Sequence, residues 1–319
     1  MNTRSSSDNH APFSERPFVT VITPTRNSER FLEETMRSVA MQRDRGTIRV
    51  EHLVMDGNST DRTEQIVSKW AHPDTCFIRR TDDQGPADAI NAGLRLAKGE
   101  YVCWLNSDDV YAPFALERAV AALERNPKAP FCFGRCRIIN QEGREIRRFA
   151  TLFKNAFFPV SNSFLIHVVN YISQPAMVFR ADAFRKIGFL RTDFKAAWDY
   201  DFTLRLWHLG KPIAIRPPEL AYFRWTPSSI SGSQYERQFK EGLVASEEDI
   251  GHRSFATVLH GLLARGLVFL YKRVCSRTPE PVTEERVDRQ CPDSFLQANK
   301  MLIPASKDAE KSHNAASPL

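Results

Sequence analysis

Two adjacent carboxylates, Asp108 and Asp109, end an apolar run that begins at Tyr101. Five apolar residues in succession are typical of a buried strand, whose interior cannot hold bare carboxylates. We therefore expect the pair just past the strand's carboxyl end, where open α/β sheets bind ligands. Two clustered acids offer the oxygen ligands that a hard divalent cation requires. On these residues alone a second interpretation stays open, in which Asp109 caps the helix that begins near Pro113 or the pair forms a polar turn.

The elements before these acids alternate between strands and helices. Strands are predicted at 18–23, 50–55, 76–79 and 101–105, and helical spacing of apolar residues at 29–41, up to Trp70 and at 87–97. This alternation favours a mostly parallel sheet with right-handed crossovers, in which ligands bind at the carboxyl strand ends. Polar clusters follow three of the strands, at Thr23–Asn27, Asp56–Asp61 and Asn106–Asp109. We expect the three clusters to converge on one edge of the sheet.

The second half of the chain predicts a less regular arrangement. The pattern indicates a helix from Pro113 to about Asn126, a strand over 131–139, a hairpin turn at 140–143, a returning strand over 145–149, a strand over 174–179, helices over 180–187 and 197–209, and extended segments at 213–215 and 220–225. Residues 152–170 are rich in phenylalanine and carry no clear period. Residues 255–274 have helical spacing and basic neighbours. That helix either lies on an anionic membrane surface or packs on the main domain or on a dimer partner.

Composition narrows the class of protein. The chain has 319 residues, a formal net charge of +6 and a sequence pI near 9.0. This excess of positive charge suits anionic ligands or an anionic membrane surface and is too small to indicate nucleic acid. No run approaches eighteen consecutive apolar residues, and the polar residues 1–17 lack a signal core, so we expect a cytoplasmic protein. Its six cysteines are then reduced thiols, and the isolated C-x3-C pair at Cys132 and Cys136 does not indicate zinc.

Five stretches together resemble the family 2 glycosyltransferases, and they occur in that family's order and spacing. They are Thr20–Asn27, Leu53–Asp61, Asp83–Gly93, Ala97–Asp109 and Trp198–Asp201. The resemblance covers about residues 18–230 and implies a GT-A type α/β fold. That fold has a mostly parallel central sheet flanked by helices, with a Rossmann-like nucleotide-binding half and an acceptor-binding half. We expect a disordered leader at 1–17, the glycosyltransferase domain at 18–230, a helical extension at 231–276 and a disordered tail at 277–319.

The resemblance also implies roles for individual residues on the donor side. It assigns contacts with the nucleotide sugar to Thr23, Pro24, Thr25, Asn27, Asp56, Asp88, Asn91, Asn106, Ser107 and Arg224. The residues themselves leave alternatives: an Asx turn for Asp56, a solvated helix face for Asp88 and Asn91, and a surface position for Arg224. Asp82 and Asp83 are expected to be exposed to solvent.

The metal and the general base are likewise implied by the family's motifs. Asn106-Ser107-Asp108 resembles the D-x-D motif with its first acid replaced, so Asp108 is the expected ligand of Mg²⁺ or Mn²⁺. Trp198-Asp199 resembles the family's Glu-Asp motif with its glutamate replaced, so Asp199 is the expected general base. Asp201 is the fallback. Its i,i+4 spacing to Arg205 favours a structural ion pair.

These expectations describe an inverting, metal-dependent glycosyltransferase. The donor is a UDP-, GDP- or dTDP-sugar, and the acceptor is a hydroxyl on a glycan or a lipid-linked sugar, in cell-surface polysaccharide or glycolipid synthesis. The enzyme would be cytoplasmic or peripheral on the inner face of the membrane, with a membrane surface as a partner and no nucleic acid. Two alternatives remain: a non-catalytic nucleotide-sugar-binding or scaffold protein of the same fold, and a sugar nucleotidyltransferase. The absence of glycine from Thr23–Asn27 counts against the last.

Overall fold

A computed structural model describes residues 16–43, 47–251 and 254–275. The expected disordered tail and all but the last two residues of the expected leader lie outside this part of the chain. The described residues belong to one compact unit. Within it, the helices that follow residue 230 pack on helices of the preceding residues.

Eleven strands and eleven α-helices are found in the described residues. The strands are β1 (Phe18–Thr25), β2 (Arg49–Asp56), β3 (Thr75–Arg79), β4 (Tyr101–Trp104), β5 (Val110–Tyr111), β6 (Phe131–Phe133), β7 (Cys136–Ile139), β8 (Glu145–Ile146), β9 (Met177–Arg180), β10 (Ile213–Ala214) and β11 (Ala221–Arg224). The helices are α1 (Leu32–Ala40), α2 (Thr63–Lys69), α3 (Pro86–Leu96), α4 (Ala115–Glu124), α5 (Arg148–Ala156), α6 (Ser163–Val168), α7 (Ala181–Ile187), α8 (Trp198–Trp207), α9 (Ile230–Ser233), α10 (Tyr235–Ile250) and α11 (Phe255–Cys275).

The central sheet has seven strands in the order β10-β6-β9-β4-β1-β2-β3. Strands β4, β1, β2 and β3 are parallel, as the strand–helix alternation predicts, and β9 runs antiparallel between β4 and β6. The carboxyl ends of β1, β2 and β4 therefore share one edge, and the three polar clusters follow them there. The mostly parallel sheet flanked by helices is confirmed.

A smaller second sheet has the order β5-β11-β7-β8. It corrects the prediction of one strand over 131–139, because β6 belongs to the central sheet and β7 to the smaller one. The break falls at Gly134, where a Cβ atom would lie 2.6 Å from the Leu220 side chain. Because Gly134 has no side chain, Leu220, the residue before β11, packs close to the chain as it passes from one sheet to the other.

The segment that carried no period, residues 152–170, contains most of α5, a 3-10 turn and α6. Two of its rings pack on aromatic rings of neighbouring elements rather than along one helix face. Phe157 stacks on Tyr171 with centroids 5.5 Å apart, and Phe158 meets Phe133 edge to face at 5.0 Å. Contacts between distant elements decide this local structure, so a search for helical or strand period does not detect it.

Helix α8 is held against the sheet by an aromatic cluster. The Trp104 ring on β4 contacts Phe179 and Phe202 edge to face at 5.8 and 5.5 Å, and the latter two rings are 5.3 Å apart. Trp104 and Phe202 are both buried. This packing joins the middle of α8 to the carboxyl end of β4, so the acids at the start of the helix and those after the strand face one region.

Candidate active site

A cavity of about 680 Å³ opens at the carboxyl edge of β1 and β4. Its walls come from the loop after β1, the loop after β4, the start of α3, α5, residues 170–175, the start of α8 and the loop after β11. The volume lies within the range of small-molecule sites. Seven of the predicted site residues line it: Pro24, Thr25, Asn27, Asn106, Ser107, Asp108 and Asp199. Thr23, Asp56, Asp88, Asn91 and Arg224 are not among its lining residues.

The loop after β1 is fixed by side chains of the neighbouring loops. Asn27 adopts a left-handed backbone conformation with φ of 50°, and its Oδ1 accepts from the Thr60 amide at 2.9 Å. The Asn27 amide donates to Ser59 Oγ at 2.8 Å. The hydroxyls of Ser28 and Ser107 are 2.8 Å apart and hydrogen-bonded. The polar clusters after β1, β2 and β4 are therefore linked to one another.

Two cavity residues hold buried oxygen atoms without a hydrogen-bond partner in the described part of the chain. These are Thr25 Oγ1 and Asp83 Oδ1. Burial raises the pKa of the Asp83 carboxyl above its ordinary value. A Cβ atom on Gly57 would lie 2.6 Å from the Asp83 carboxylate, so only glycine leaves this acid room. Asp83 Oδ1 has only a long ion-pair contact, 3.8 Å from Arg80 Nη1. Buried oxygens without a hydrogen bond are costly unless a ligand donates to them, and a base N–H or a ribose hydroxyl would do so.

Asp83 corrects the expectation that both acids of this loop are exposed. The Asp82 side chain is 79% exposed, as expected, whereas that of Asp83 is only 8% exposed. The sequence did contain a signal for a role of Asp83 at the site, because this residue begins the third of the five matched stretches. Its neighbours on the chain are polar, and a polar run is typical of a solvated loop.

Thr23 and Asp56 lie behind the cavity wall. The Thr23 hydroxyl is hydrogen-bonded to His52 Nε2 at 2.9 Å, and its side chain is fully buried. The Asp56 carboxylate accepts from the amide and the hydroxyl of Ser59 at 3.1 and 2.5 Å and from Arg79 Nε at 3.3 Å. Asp56 thus makes the Asx turn that was the alternative interpretation. In this arrangement both residues shape the loops instead of facing the cavity.

Asp88 and Asn91 also hold neighbouring segments together. Asp88 Oδ2 accepts from Arg80 Nη1 at 3.0 Å and from the Gln84 amide at 3.3 Å. Asn91 clamps Leu190, because its Oδ1 accepts from that residue's amide at 2.8 Å and its Nδ2 donates to that residue's carbonyl at 2.9 Å. Asn91 is buried, so it forms no part of a solvated helix face. These contacts explain both polar side chains without a ligand.

The two acids after β4 have different surroundings. Asp108 lines the cavity, whereas Asp109 is fully buried and accepts from the Arg224 amide at 2.8 Å and from Asn106 Nδ2 at 3.2 Å. Burial raises the pKa of the Asp108 carboxyl to about 6. Burial and the neighbouring Asp108 charge raise the pKa of Asp109 well above its ordinary value. Asp109 thus supports the loop, and Asp108 is the acid of the pair that faces the cavity.

A divalent cation would find one carboxylate and two weaker oxygen ligands here. Asn106 uses its amide nitrogen on Asp109, which leaves its Oδ1 to the cavity side. No cluster of three or more histidine, cysteine or acidic residues with metal-binding geometry occurs within residues 16–43, 47–251 and 254–275. Mg²⁺ commonly binds through one or two carboxylates, waters and substrate phosphates. The donor set therefore fits a cation held jointly with a diphosphate and does not form a cage of protein ligands.

Arg224 is buried, so its alternative interpretation as a surface arginine is wrong, and its side chain is occupied by protein groups. Its side chain is fully buried, and Nε and Nη1 donate to the carbonyls of Asp108, Asn140 and Gln141, each at 3.0 Å. Its Nη2 pairs with Glu34 at 2.7 Å. The guanidinium thus fastens the loop after β4 to the hairpin turn and to α1. The serines after β11 (Ser228, Ser229 and Ser231) do line the cavity.

The opposite wall carries Asp199 at the start of α8. Its Oδ1 accepts from the Tyr200 amide at 2.8 Å, and burial raises the pKa of its carboxyl, partly opposed by the charge of Lys154. A carboxylate whose pKa is moved toward neutrality is a better general base. Asp201 is bound to Arg205 Nε and Nη2 at 3.0 and 2.7 Å, which confirms the predicted i,i+4 ion pair.

Lys154 is one of the cavity residues that the sequence did not indicate. It lies on α5, and its Nζ donates to Ser173 Oγ at 3.2 Å. Burial lowers the pKa of its ammonium group, and the nearby Asp199 charge opposes that change. A half-buried cation beside the candidate base can hold that base ionised. The local sequence does not indicate a role for Lys154, because this residue lies in the segment 152–170, whose apolar residues follow no helical or strand period.

Comparison with known proteins identifies the family of this chain. The model of the family described as "Glycosyl transferase family 2" matches residues 20–188. An uncharacterised glycosyltransferase of Mycobacterium tuberculosis is 31% identical over 203 residues, or 63% of this chain and 72% of the relative. Another from Haemophilus influenzae is 26% identical over 192 residues, which are 59% of this chain and 61% of that protein. The match thus spans about three-fifths of the H. influenzae relative.

Solved structures show the same fold at lower identity. S. aureus TarS 1-349, in complex with UDP-GlcNAc, has 21% identity and a TM-score of 0.59, with 82% of this chain and 76% of that one covered. The mannosyltransferase PcManGT of Pyrobaculum calidifontis, in complex with GDP-Man and Mn²⁺, has 22% identity and a TM-score of 0.58, with 92% and 82% covered. The central sheet, its flanking helices and these neighbours identify the GT-A fold. Because the family model matches more than half of this chain, the chain belongs to glycosyltransferase family 2.

Proposed function

We propose that this protein is an inverting glycosyltransferase that moves a sugar from a nucleotide-sugar donor to a hydroxyl acceptor with the help of a divalent cation. The observation that supports this most directly is that Asp108 and Asp199 line one cavity from different walls. One acid lies after a parallel strand, where nucleotides and cations bind in such sheets. The other lies in the first turn of a helix, and we assign proton abstraction to it.

We assign the steps of the reaction to residues on the two walls of the cavity. Asp199 takes the proton from an acceptor hydroxyl as that oxygen attacks C1 of the donor sugar, and the bond from C1 to the diphosphate oxygen breaks with its electron pair on the diphosphate. Attack opposite the leaving group inverts the anomeric centre. Asp108, with the oxygens of Asn106 and Ser107, would hold Mg²⁺ or Mn²⁺, which supplies charge stabilisation to the leaving diphosphate.

The donor site is supported by the polar atoms on the nucleoside side. The unpartnered oxygens of Thr25 and Asp83 suit a base or ribose, and Pro24 and Asn27 shape the adjoining loop. The neighbouring structures contain UDP-GlcNAc or GDP-Man, so UDP- and GDP-sugars are the first donors to test, followed by dTDP-sugars. We infer a glycan or lipid-linked acceptor in cell-surface polysaccharide or glycolipid synthesis at the cytoplasmic face of the membrane.

Departures from the family's motifs favour one alternative, a non-catalytic nucleotide-sugar-binding protein. Asn106 removes one negative charge from the cation site, and Trp198 stands where the family has a glutamate. A protein that had lost catalysis would bind the nucleotide without turning over the donor. The two readings therefore differ in turnover and agree in binding.

The experiment titrates UDP, GDP and dTDP into the purified full chain by calorimetry, with and without Mn²⁺, and then measures nucleotide release from the matching sugar donors. We expect one nucleotide to bind with metal dependence and its donor to be turned over. Asp199→Asn should keep that binding and lose release by roughly a hundredfold or more. Asp182→Asn, at an exposed acid on α7, is the matched control and should retain both.

Each outcome separates the readings. Metal-dependent binding without turnover of any donor or acceptor offered would favour the non-catalytic protein. Full release by Asp199→Asn would remove Asp199 as the base, and metal-independent binding by Asp108→Ala at wild-type strength would remove the cation site.

A further inference from the structure

Helix α11 has its small side chains inside and its large apolar side chains outside. Ala256, Thr257, His260 and Ala264 are buried. Phe255, Val258 and Leu262 are 72%, 49% and 58% exposed, and Leu263 is 40% exposed. The spacing of the first three is i, i+3 and i+7, so they form one stripe on the helix. A helix that packs only on its own domain has the reverse arrangement, with its apolar stripe toward the core.

A second exposed apolar group comes from residues 149–164. Phe149, Leu152, Phe153, Val160 and Phe164 are between 45% and 89% exposed. The two groups are joined, because the Phe164 ring on α6 stacks on the Phe255 ring of α11 with centroids 6.1 Å apart and planes 15° apart. We call these exposed residues of α5, the 3-10 turn, α6 and α11 the apolar face. Contiguous apolar surface drawn from several elements marks an interaction site.

The two chain segments that supply the apolar face contain basic residues and no acidic ones, although Glu145, just before α5, pairs with Arg148 at 3.5 Å. The sequence contains no aspartate or glutamate from Ile146 to Ala181 or from Ile250 to Pro279, and both stretches contain arginine and lysine. Arg148 on α5 and Arg265 on α11 are exposed. Two copies of this chain meeting at the apolar face would bring these cations together. An anionic surface would meet them with opposite charge.

The apolar face adjoins the cavity. Lys154 lines the cavity from α5, and its neighbour Phe153 is 48% exposed on the apolar face. Asn170 and Ile172, just after α6, line the cavity as well. The wall on which Lys154 and Ser173 meet is therefore also the wall behind the exposed rings.

We propose that the apolar face docks on an anionic lipid bilayer, with its rings among the acyl chains near the headgroups and its cations on lipid phosphates. No helix among the described residues is long and apolar enough to cross a membrane. Attachment in the plane of the interface requires only an apolar face and basic residues. Docking in this way brings the α5 wall of the cavity to the surface at which a lipid-linked acceptor would lie. That last step rests on the proposed function; the docking does not.

The test is co-sedimentation of the full chain with vesicles of phosphatidylcholine, alone or mixed with phosphatidylglycerol. We expect binding to the mixed vesicles, weakened by salt, and little binding to phosphatidylcholine alone. Phe149→Ser with Leu152→Ser, and separately Val258→Ser with Leu262→Ser, should each lower binding by about tenfold or more. Leu96→Ser, at a 47% exposed leucine on α3, is the matched control and should bind as the wild type does.

Nucleotide release from a soluble donor distinguishes this proposal from the proposed function. The four substituted residues are exposed and lie outside the cavity lining, so release in solution should not change. Absence of binding to mixed vesicles by the wild type, or equal binding by the wild type and both double variants, would overturn the docking. A stable dimer that these variants dissociate, without vesicle binding, would assign the apolar face to a second copy.

Discussion

Removal of the Arg224 guanidinium should destabilise the folded protein by roughly 3–5 kcal/mol, as breaking a buried charged network does. The side chain donates to three backbone carbonyls at 3.0 Å and to Glu34 at 2.7 Å. In Arg224→Met each carbonyl loses a charged donor, at about 1–3 kcal/mol for a buried group left unsatisfied. Water that reaches some of the carbonyls, together with the partial exposure of Glu34, should reduce the summed loss to roughly 3–5 kcal/mol.

The assay is urea unfolding followed by tryptophan fluorescence, with nucleotide binding measured on the folded variant. Arg224→Lys is the milder change, because lysine keeps the charge but lacks the planar fork that reaches several carbonyls. We expect a loss of about 1.5–3 kcal/mol for Arg224→Lys, near the value of a hydrogen bond to a charged group. Arg125→Met, at an exposed arginine after α4, is the control and should change stability by less than about 0.5 kcal/mol.

A phosphate-binding Arg224 would give the opposite pattern. Substitution would then weaken nucleotide binding strongly and leave the unfolding free energy nearly unchanged. A loss below about 1 kcal/mol in Arg224→Met would refute the argument made here from buried hydrogen bonds. Loss of soluble protein for Arg224→Met leaves Arg224→Lys to decide the matter.

Three further predictions concern the other residues of the site and the fold. Burial raises the Asp108 pKa from the ordinary 3.8 to about 6, so without a cation the free energy of unfolding should fall as pH rises between these values. In urea titrations Asp108→Asn should reduce this dependence on pH, and an unchanged dependence would contradict the assignment to Asp108. The Lys154 ammonium opposes the rise in the Asp199 pKa, so Lys154→Met should move the acid limb of the pH–rate profile to higher pH, whereas Lys154→Arg should leave it in place. An acid limb at the same pH in both variants would exclude an effect of the Lys154 charge on Asp199. Gly99→Ala should lower the free energy of unfolding by about 1–3 kcal/mol or more, because the added Cβ would lie 2.5 Å from the Thr20 amide nitrogen. Gly266→Ala, whose Cβ would have no neighbour within 4 Å, is the control in the same assay and should be neutral or stabilising by up to about 1 kcal/mol.

The sequence allowed prediction of the parallel half of the fold because its signals are local. Strand-forming runs of four to six residues, helices between them and polar clusters at the strand ends determine both the elements and the edge at which the clusters meet. The first four strands and their helices appear in the structure with small shifts of their ends, such as β1 continuing through Thr25. Beyond Phe131 the predictions weaken. Strands there are two to four residues long and pair with distant partners, so their local patterns carry little information.

The candidate site was predictable as a region, but not residue by residue. A motif fixes which residue type stands at a position, whereas the contacts of the folded chain decide whether that side chain faces inward or outward. Asp56 and Asp83 illustrate the difference, since both are acids in matched stretches after neighbouring strands. Asp56 satisfies its oxygens on Ser59 and Arg79, whereas Asp83 keeps one oxygen at the cavity without a hydrogen bond, 3.8 Å from Arg80 Nη1. Only the hydrogen-bond partners separate them, and no spacing rule contains that information.

Residues that do not line the cavity hold one of its loops in position. The loop after β4 is held by three contacts, two of them to Arg224: Ser107 with Ser28, the Asp109 carboxylate with the Arg224 amide, and the Asp108 carbonyl with the Arg224 guanidinium. A site that binds a diphosphate and a cation at fixed positions gains from such support, because little reorganisation is then needed when charge develops. A substitution that loosens this support should therefore impair catalysis more than nucleotide affinity. Arg224→Lys is the variant in which that difference between turnover and binding can be measured.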